Sequence, residues 1–171
     1  TFWAQRSLQP PRRVPARLPC GAPEIGMTEI AFHFNAPDKL AYACRFARKL
    51  LRAGDLRLVI AGPDALLDQV DPMLWSMAAH DFVAHCRGDS DPALLEASPI
   101  VLLTDPQQSP HHDVLLNLWD EVPAGFGSFA KLIEVVGVHD EADRQHARAR
   151  WRYYAQRGYA LIRHDLEQKV S

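Results

Sequence analysis

Arg144, Arg148, Trp151 and Ala155 recur at spacings that put them on one face of an α-helix, with Arg152 at the flank. Guanidiniums beside an indole have two chemical uses. They can hold an acidic peptide that carries an aromatic residue or a free carboxy terminus. They can also hold a single nucleic-acid strand through stacking and charge. A solvated basic face, with Trp151 lying against a sheet, is the third reading, and residue types alone leave all three open. A second stripe of this helix, His146, Ala149 and Tyr153, is expected to turn inward with Tyr154 nearby.

Other clusters carry less chemistry. Leu74, Trp75, Phe82 and Val83 bring two large aromatics together. They fit a core, which is the favoured reading, or an exposed anchor for a partner. His111, His112 and Asp113 read as a polar loop, because adjacent strand residues face opposite sides and cannot converge on one ion. His80, His85 and Cys86 lack a fourth zinc ligand. Asp64, Asp68 and Asp71 read as a solvated face. No nucleophile elbow is present. The expectation is therefore no catalytic residue, no metal and no cofactor.

The elements that must position these residues follow from periodicity. Residues 29–34 alternate as a strand. Asn35 is expected to cap a helix with Pro37 in its first turn, and Gly54 to end it. Residues 56–61 form a second strand, and Gly62 and Pro63 turn it into a helix that Asp71 and Pro72 are expected to interrupt. Short strands follow at 82–86, 100–103 and 114–118. Residues 129–138 lead into a further strand, and 140–157 form the strongest helix, acidic at its start and closed by Gly158. Strands alternating with helices predict an α/β layered domain with a mainly parallel sheet.

Such a fold binds phosphates at its first β-to-helix turns. Here those turns are residues 34–38 and 61–65, and neither carries a phosphate-loop or dinucleotide fingerprint. Pro63 follows Gly62, so successive backbone N–H groups cannot cradle a pyrophosphate. A nucleotide-dependent enzyme of the helicase-like or Rossmann class is thereby disfavoured.

The 171 residues are 47% hydrophobic and 23% charged, the balance of a folded protein. Formal net charge is -2, which argues against a wholesale nucleic-acid binder. No apolar run suits a membrane span. Cys20, Cys44 and Cys86 are too scattered for a disulfide framework, and a reducing, cytoplasmic setting is the expectation. Residues 1–26 stand apart, with five prolines and four arginines against the single acid Glu24. They are expected to be a disordered tail or upstream extension, or else a basic arm for nucleic acid. Residues 27–171 are expected to form one α/β domain.

Three segments then resemble one family. They are Glu134, Val135 and Val136 in a strand, the arginine-rich helix from Arg148 to Tyr154, and Gly158 with Tyr159 at its exit. With Leu74, Trp75, Phe82, Val83 and His85 in the middle, they are similar to the chi subunit of bacterial DNA polymerase III, from Met27 to about Leu161. The resemblance implies a Rossmann-like domain, similar to helicase domains but without a working phosphate loop. It implies a non-catalytic accessory subunit that links the clamp loader, through the psi subunit, to the acidic carboxy-terminal tail of single-stranded DNA-binding protein. That tail is rich in aspartate and ends in phenylalanine. The matching tail-binding positions are Val138, Arg144, Arg148, Trp151 and Arg152, and the psi-facing positions are Trp75 and Phe82. Nucleic acid is then met only indirectly, with direct single-strand binding by the same face as the alternative.

Overall fold

Ile30, Phe32 and Phe34 alternate with Ala31 and His33 along β1 (Glu29–Ala36), so the strand offers apolar side chains to both faces of a sheet. The computed structural model describes residues 28–76 and 83–167. The proline-rich segment before Met27 and Phe82 lie outside the described residues. The further strands are β2 (Leu58–Ala61), β3 (His85–Arg87), β4 (Ile100–Leu103), β5 (Val114–Asn117), β6 (Lys131–Gly137) and β7 (Leu161–Asp165). They form one sheet in the order β3-β4-β2-β5-β6-β1-β7, and every pairing is parallel. The α/β reading with a parallel sheet is what the chain adopts.

Connection direction decides which face each helix covers. The steps from β1 to β2 and from β2 to β3 move toward the β3 edge and carry α1 (Lys39–Ala53) and α2 (Asp64–Ser76). Those helices bury Ala43, Cys44, Ala47, Leu67, Val70 and Leu74 on one face. The steps from β3 to β4 and from β6 to β7 move the other way and carry α3 (Pro92–Ala97) and α4 (Glu141–Gln156). Leu95, Ala147 and Tyr154 from those helices pack on the opposite face. A uniform crossover hand requires this division. Among the described residues, no helix is long and apolar enough to cross a membrane.

Several local expectations are corrected. Asp38, not Asn35, caps α1, its Oδ1 accepting from Ala41 N at 3.1 Å. Asn35 instead takes a left-handed backbone with φ 65°, which its short polar side chain tolerates. Pro72 does not interrupt α2, which runs unbroken to Ser76. Leu67 and Val70 before it and Leu74 after it are fully buried, so packing on both sides offsets the one lost helical bond. The core reading of Leu74 and Trp75 divides: Leu74 and Val83 are buried, whereas Trp75 is 55% exposed. Helix α3 and strand β7 have no counterpart among the expected elements. The inward stripe of α4 is Asp143, Ala147, Arg150 and Tyr154, whereas His146 and Ala149 are exposed and Tyr153 is half-buried.

That last correction has a cause in β6. Glu134 points to the α4 face and is fully buried. Arg150 Nε donates to its Oε2 at 3.0 Å and Tyr154 Oη to its Oε1 at 2.6 Å, and Asn117 Nδ2 lies 3.1 Å from both oxygens. Burial pushes the Glu134 carboxyl above the ordinary range, while Arg150, Tyr154 and Asn117 oppose that shift. A buried carboxylate needs those donors, so Arg150 and Tyr154 must face in. On the other face His33 touches Tyr42 Oη, and its ring lies 4.6 Å from that of His164 and 5.7 Å from that of Phe46. Burial, with help from His164 and the lysines at 131 and 49, lowers the His33 pKa to about 4.

Two outcomes follow from these groups. Removing Arg150 leaves Glu134 buried without its counter-charge, so Arg150→Ala should cost about 3–5 kcal/mol in denaturant melts. Tyr154→Phe should cost about 1–3 kcal/mol, since one acceptor loses one donor. His33 gives a pH signature. Between pH 6.5 and about 4 the unfolded chain holds a proton on His33 that the folded chain does not. The contribution is complete above that window and is lost as pH falls through it. Melting temperature should therefore drop across the window, and His33→Gln should flatten the slope.

Candidate functional site

Four arginines and three aromatic side chains meet over the β6-β1-β7 end of the sheet. Phe32 and Phe34 of β1 form the floor, with Val136 and Gly137 of β6 beside them. Helix α4 supplies one wall through Arg144, Ala147, Arg148, Trp151 and Arg152. Arg163 of β7 stands on the other side, near Asn35. Together they enclose an open hollow of about 590 Å³.

Register explains why these residues converge. Arg163 pairs in register with Phe32, and neighbouring strands turn paired residues to the same face. With Arg150 and Tyr154 turned inward, the residues two places away, Arg148 and Arg152, swing toward solvent and the hollow. Trp151 sits between and is half-buried, its ring 5.0 Å from that of Phe32 in an edge contact. Arg148 Nη1 lies 3.3 Å from Glu141 Oε1, and Arg144 Nη1 lies 3.7 Å from Glu141 Oε2. Arg152 Nε donates to the Arg148 carbonyl at 3.3 Å. The Arg163 guanidinium carbon lies 5.1 Å from the Phe34 ring centre and 5.9 Å from that of Trp151. The arrangement presents positive charge around an apolar, aromatic base.

Of the positions singled out in the sequence, Arg144, Arg148, Trp151 and Arg152 are brought together here. Val138 is not among the lining residues; it is half-buried, its N–H bound to the Ala36 carbonyl at 2.9 Å, and Val136 and Gly137 take the strand side of the hollow. Ala155 is exposed beyond it. Phe32, Phe34 and Arg163 were missing from the sequence reading. The alternation of β1 held the signal for the two phenylalanines. Arg163 had none, because its place depends on the pairing of β7 with β1.

A second hollow of about 390 Å³ lies at the carboxyl ends of β1, β5 and β6, where doubly wound sheets take ligands. Carboxylates occupy its key positions. Asp140 caps α4, and Asp143 accepts from Gly137 N at 2.8 Å and pairs with Lys39 Nζ at 2.8 Å. Asp120 and His139 complete the polar lining. The turn after β2 offers little to an anion: Gly62 N–H donates to the Leu103 carbonyl at 3.2 Å, and Pro63 has no N–H.

The remaining candidates are engaged structurally. His85 places its ring nitrogens 2.6 Å from Asp71 Oδ1 and 2.7 Å from the Val83 carbonyl, and the Trp75 ring lies tilted beside it at 4.8 Å. Asp64 and Asp68 face Arg87 on the surface. His111 and His112 lie in the loop before β5, and His111 contacts Arg57 and the Leu95 carbonyl. Burial pushes the Cys44 thiol up to about 11, so it packs as a core residue. Among the described residues, no group of three His, Cys, Asp or Glu side chains is placed to hold a metal.

Comparison with solved structures finds the C-terminal domain of the DEAD-box protein Dbp5 at a TM-score of 0.50 and 13% identity, over 81% of this chain and 91% of that one. That likeness concerns the fold alone, and it agrees with a helicase-like architecture. In sequence, the DNA polymerase III subunit chi of Pseudomonas aeruginosa is 32% identical over 82% of this chain and 98% of its own length. The DNA polymerase III subunit chi of Haemophilus influenzae is 28% identical over 70% of this chain and 81% of its own. The family described as DNA polymerase III chi subunit, HolC, matches residues 27–162, which takes in every strand of the sheet from β1 to the start of β7. The chain therefore belongs to the chi subunit family of DNA polymerase III, accessory subunits of replication.

Proposed function

We propose that this chain is a non-catalytic linker, joining the clamp loader to the acidic carboxy-terminal tail of single-stranded DNA-binding protein. The observation that carries this reading is the arginine-rimmed hollow with its aromatic base. Aspartates of the tail would meet Arg144, Arg148 and Arg152, and the terminal phenylalanine would pack on Trp151, Phe32 and Phe34. An open hollow suits one ring and its flanking acids better than it suits a run of stacked bases. The 15 bases and 20 acids that follow residue 26 also disfavour a strand of phosphates, whose binding depends on backbone charge.

The psi subunit would dock elsewhere. Trp75 is exposed at the end of α2, on the helix layer opposite α4, and rests against the His85 ring. An indole presented in this way suits an interface anchor. Phe82, assigned to the same surface, lies outside the described residues. The carboxylates at the second hollow disfavour a nucleotide site there. A phosphate entering there would meet Asp120, Asp140 and Asp143, with Lys39 already paired. No cofactor is assigned to either hollow.

Titration against the tail peptide, beside a single-stranded oligonucleotide, tests the reading. The peptide should bind and the oligonucleotide should not. Arg148→Glu should lower peptide affinity about tenfold or more, because an attraction becomes a repulsion. Arg148 is 56% exposed, so the variant should stay folded. Trp151→Ala should weaken binding while keeping its salt dependence, since packing is lost and charge is not. Peptide binding by folded Arg148→Glu at wild-type strength, or preference for the oligonucleotide, would reject the tail site. Separately, Trp75→Ala should weaken psi binding in a pull-down and leave the peptide titration unchanged.

A further inference from the structure

The guanidiniums around the hollow come from two elements, and they differ in what already holds them. On α4, Glu141 faces both Arg148 and Arg144, at 3.3 Å and 3.7 Å. Arg152 bonds the Arg148 carbonyl. On the edge strand β7, Arg163 pairs with no carboxylate among the described residues; its contacts are the rings of Phe34 and Trp151. The acid two residues on, Asp165, accepts instead from Asn35 Nδ2 at 2.9 Å. A guanidinium lying on aromatic faces keeps its N–H edge available, and that edge matches the two oxygens of a carboxylate.

In a chain-terminal aromatic residue, the ring and the terminal carboxylate branch from one Cα. A ring seated against Phe34 and Trp151 therefore brings its carboxylate to the guanidinium that rests on those same two rings. An aromatic residue inside a chain has no carboxylate at that place. We propose that Arg163 reads the terminal carboxylate of the docked peptide, while the arginines of α4 hold the acidic side chains before it. This rests on the tail reading above and adds a polarity to it: carboxy terminus toward β7, acidic residues along α4. It also makes Arg163 the residue that distinguishes a chain end from an internal aromatic.

The test uses the full chain and two synthetic probes. One is a short aspartate-rich peptide ending in phenylalanine with a free carboxylate, and the other is its carboxamide. Anisotropy titrations of the wild type should favour the free acid about tenfold, the worth of one charge-assisted bidentate contact. Arg163→Ala should bind both probes alike, at the level of the wild-type carboxamide. Arg148→Ala should weaken both probes by the same factor and keep the preference. Arg163 is exposed on an edge strand, and circular dichroism checks that the variant is folded. If Arg163→Ala keeps the wild-type preference, or weakens both probes equally, the carboxylate is read elsewhere and this assignment falls while the tail site stands. If neither probe binds the wild type, the tail reading and the assignment fall together.

Discussion

A carboxylate buried in the sheet sets the geometry of everything on the α4 side. Glu134 is fully enclosed, and an isolated ionised carboxylate there would cost several kcal/mol. The chain answers with Arg150, Tyr154 and Asn117, and Arg150 Nη1 also donates to the Asp120 carbonyl at 2.7 Å. Such a pair adds little net stability beside a well-packed apolar core. Its effect is orientational. Successive helix residues are about 100° apart, so anchoring Arg150 and Tyr154 inward sends Arg148 and Arg152 to the opposite side and leaves Trp151 at the flank. A purely apolar interface would tolerate some rolling of the helix; bonds to a single carboxylate do not.

The second determinant is the edge strand. Without β7, β1 would be the sheet edge and Phe32 and Phe34 would form one side of an open ledge. Pairing in register with Phe32 adds Arg163 on the same face and turns the ledge into a hollow. The polar composition of β7 fits both its place and this task. An edge strand with charged side chains resists further strand pairing, and one of those charges faces the site.

Legibility in the sequence followed the strength of local patterns. Strand β4 was read with its bounds, because four apolar residues stand between turn signals. Helix α4 was read nearly to its ends, since Asp140 caps it and Gly158, with φ 80°, closes it. The exposed side of α4 was legible too, and so were four of the arginine and aromatic positions around the hollow. Its inward side was not. Arginine is almost never fully buried, so the residue type of Arg150 gives no sign of an inward place, and only the burial of Glu134 overrides that rule. Asn35 failed as a cap because Asp38 stood closer to the helix start. Strand β7 was missed because an edge strand carries no continuous apolar run, and Arg163 was missed with it.

Charge along α4 differs between its first turn and its middle. In related architectures the positive pole of a helix faces the crevice at the strand ends and takes an anion. Here Asp140 caps that pole, and Asp143 joins it to the Gly137 N–H and Lys39. The pole is satisfied from within the chain, so an external phosphate has little to gain there. The arginines lie further along the helix, on the side that opens toward β1 and β7. Acids at the start and bases beyond suit the helix dipole as well. One helix thus satisfies the crevice with its first turn and lines the arginine-rimmed hollow with its middle. The change needs no new element, only carboxylates at the cap and a buried partner for Arg150 that fixes which way the remaining arginines face.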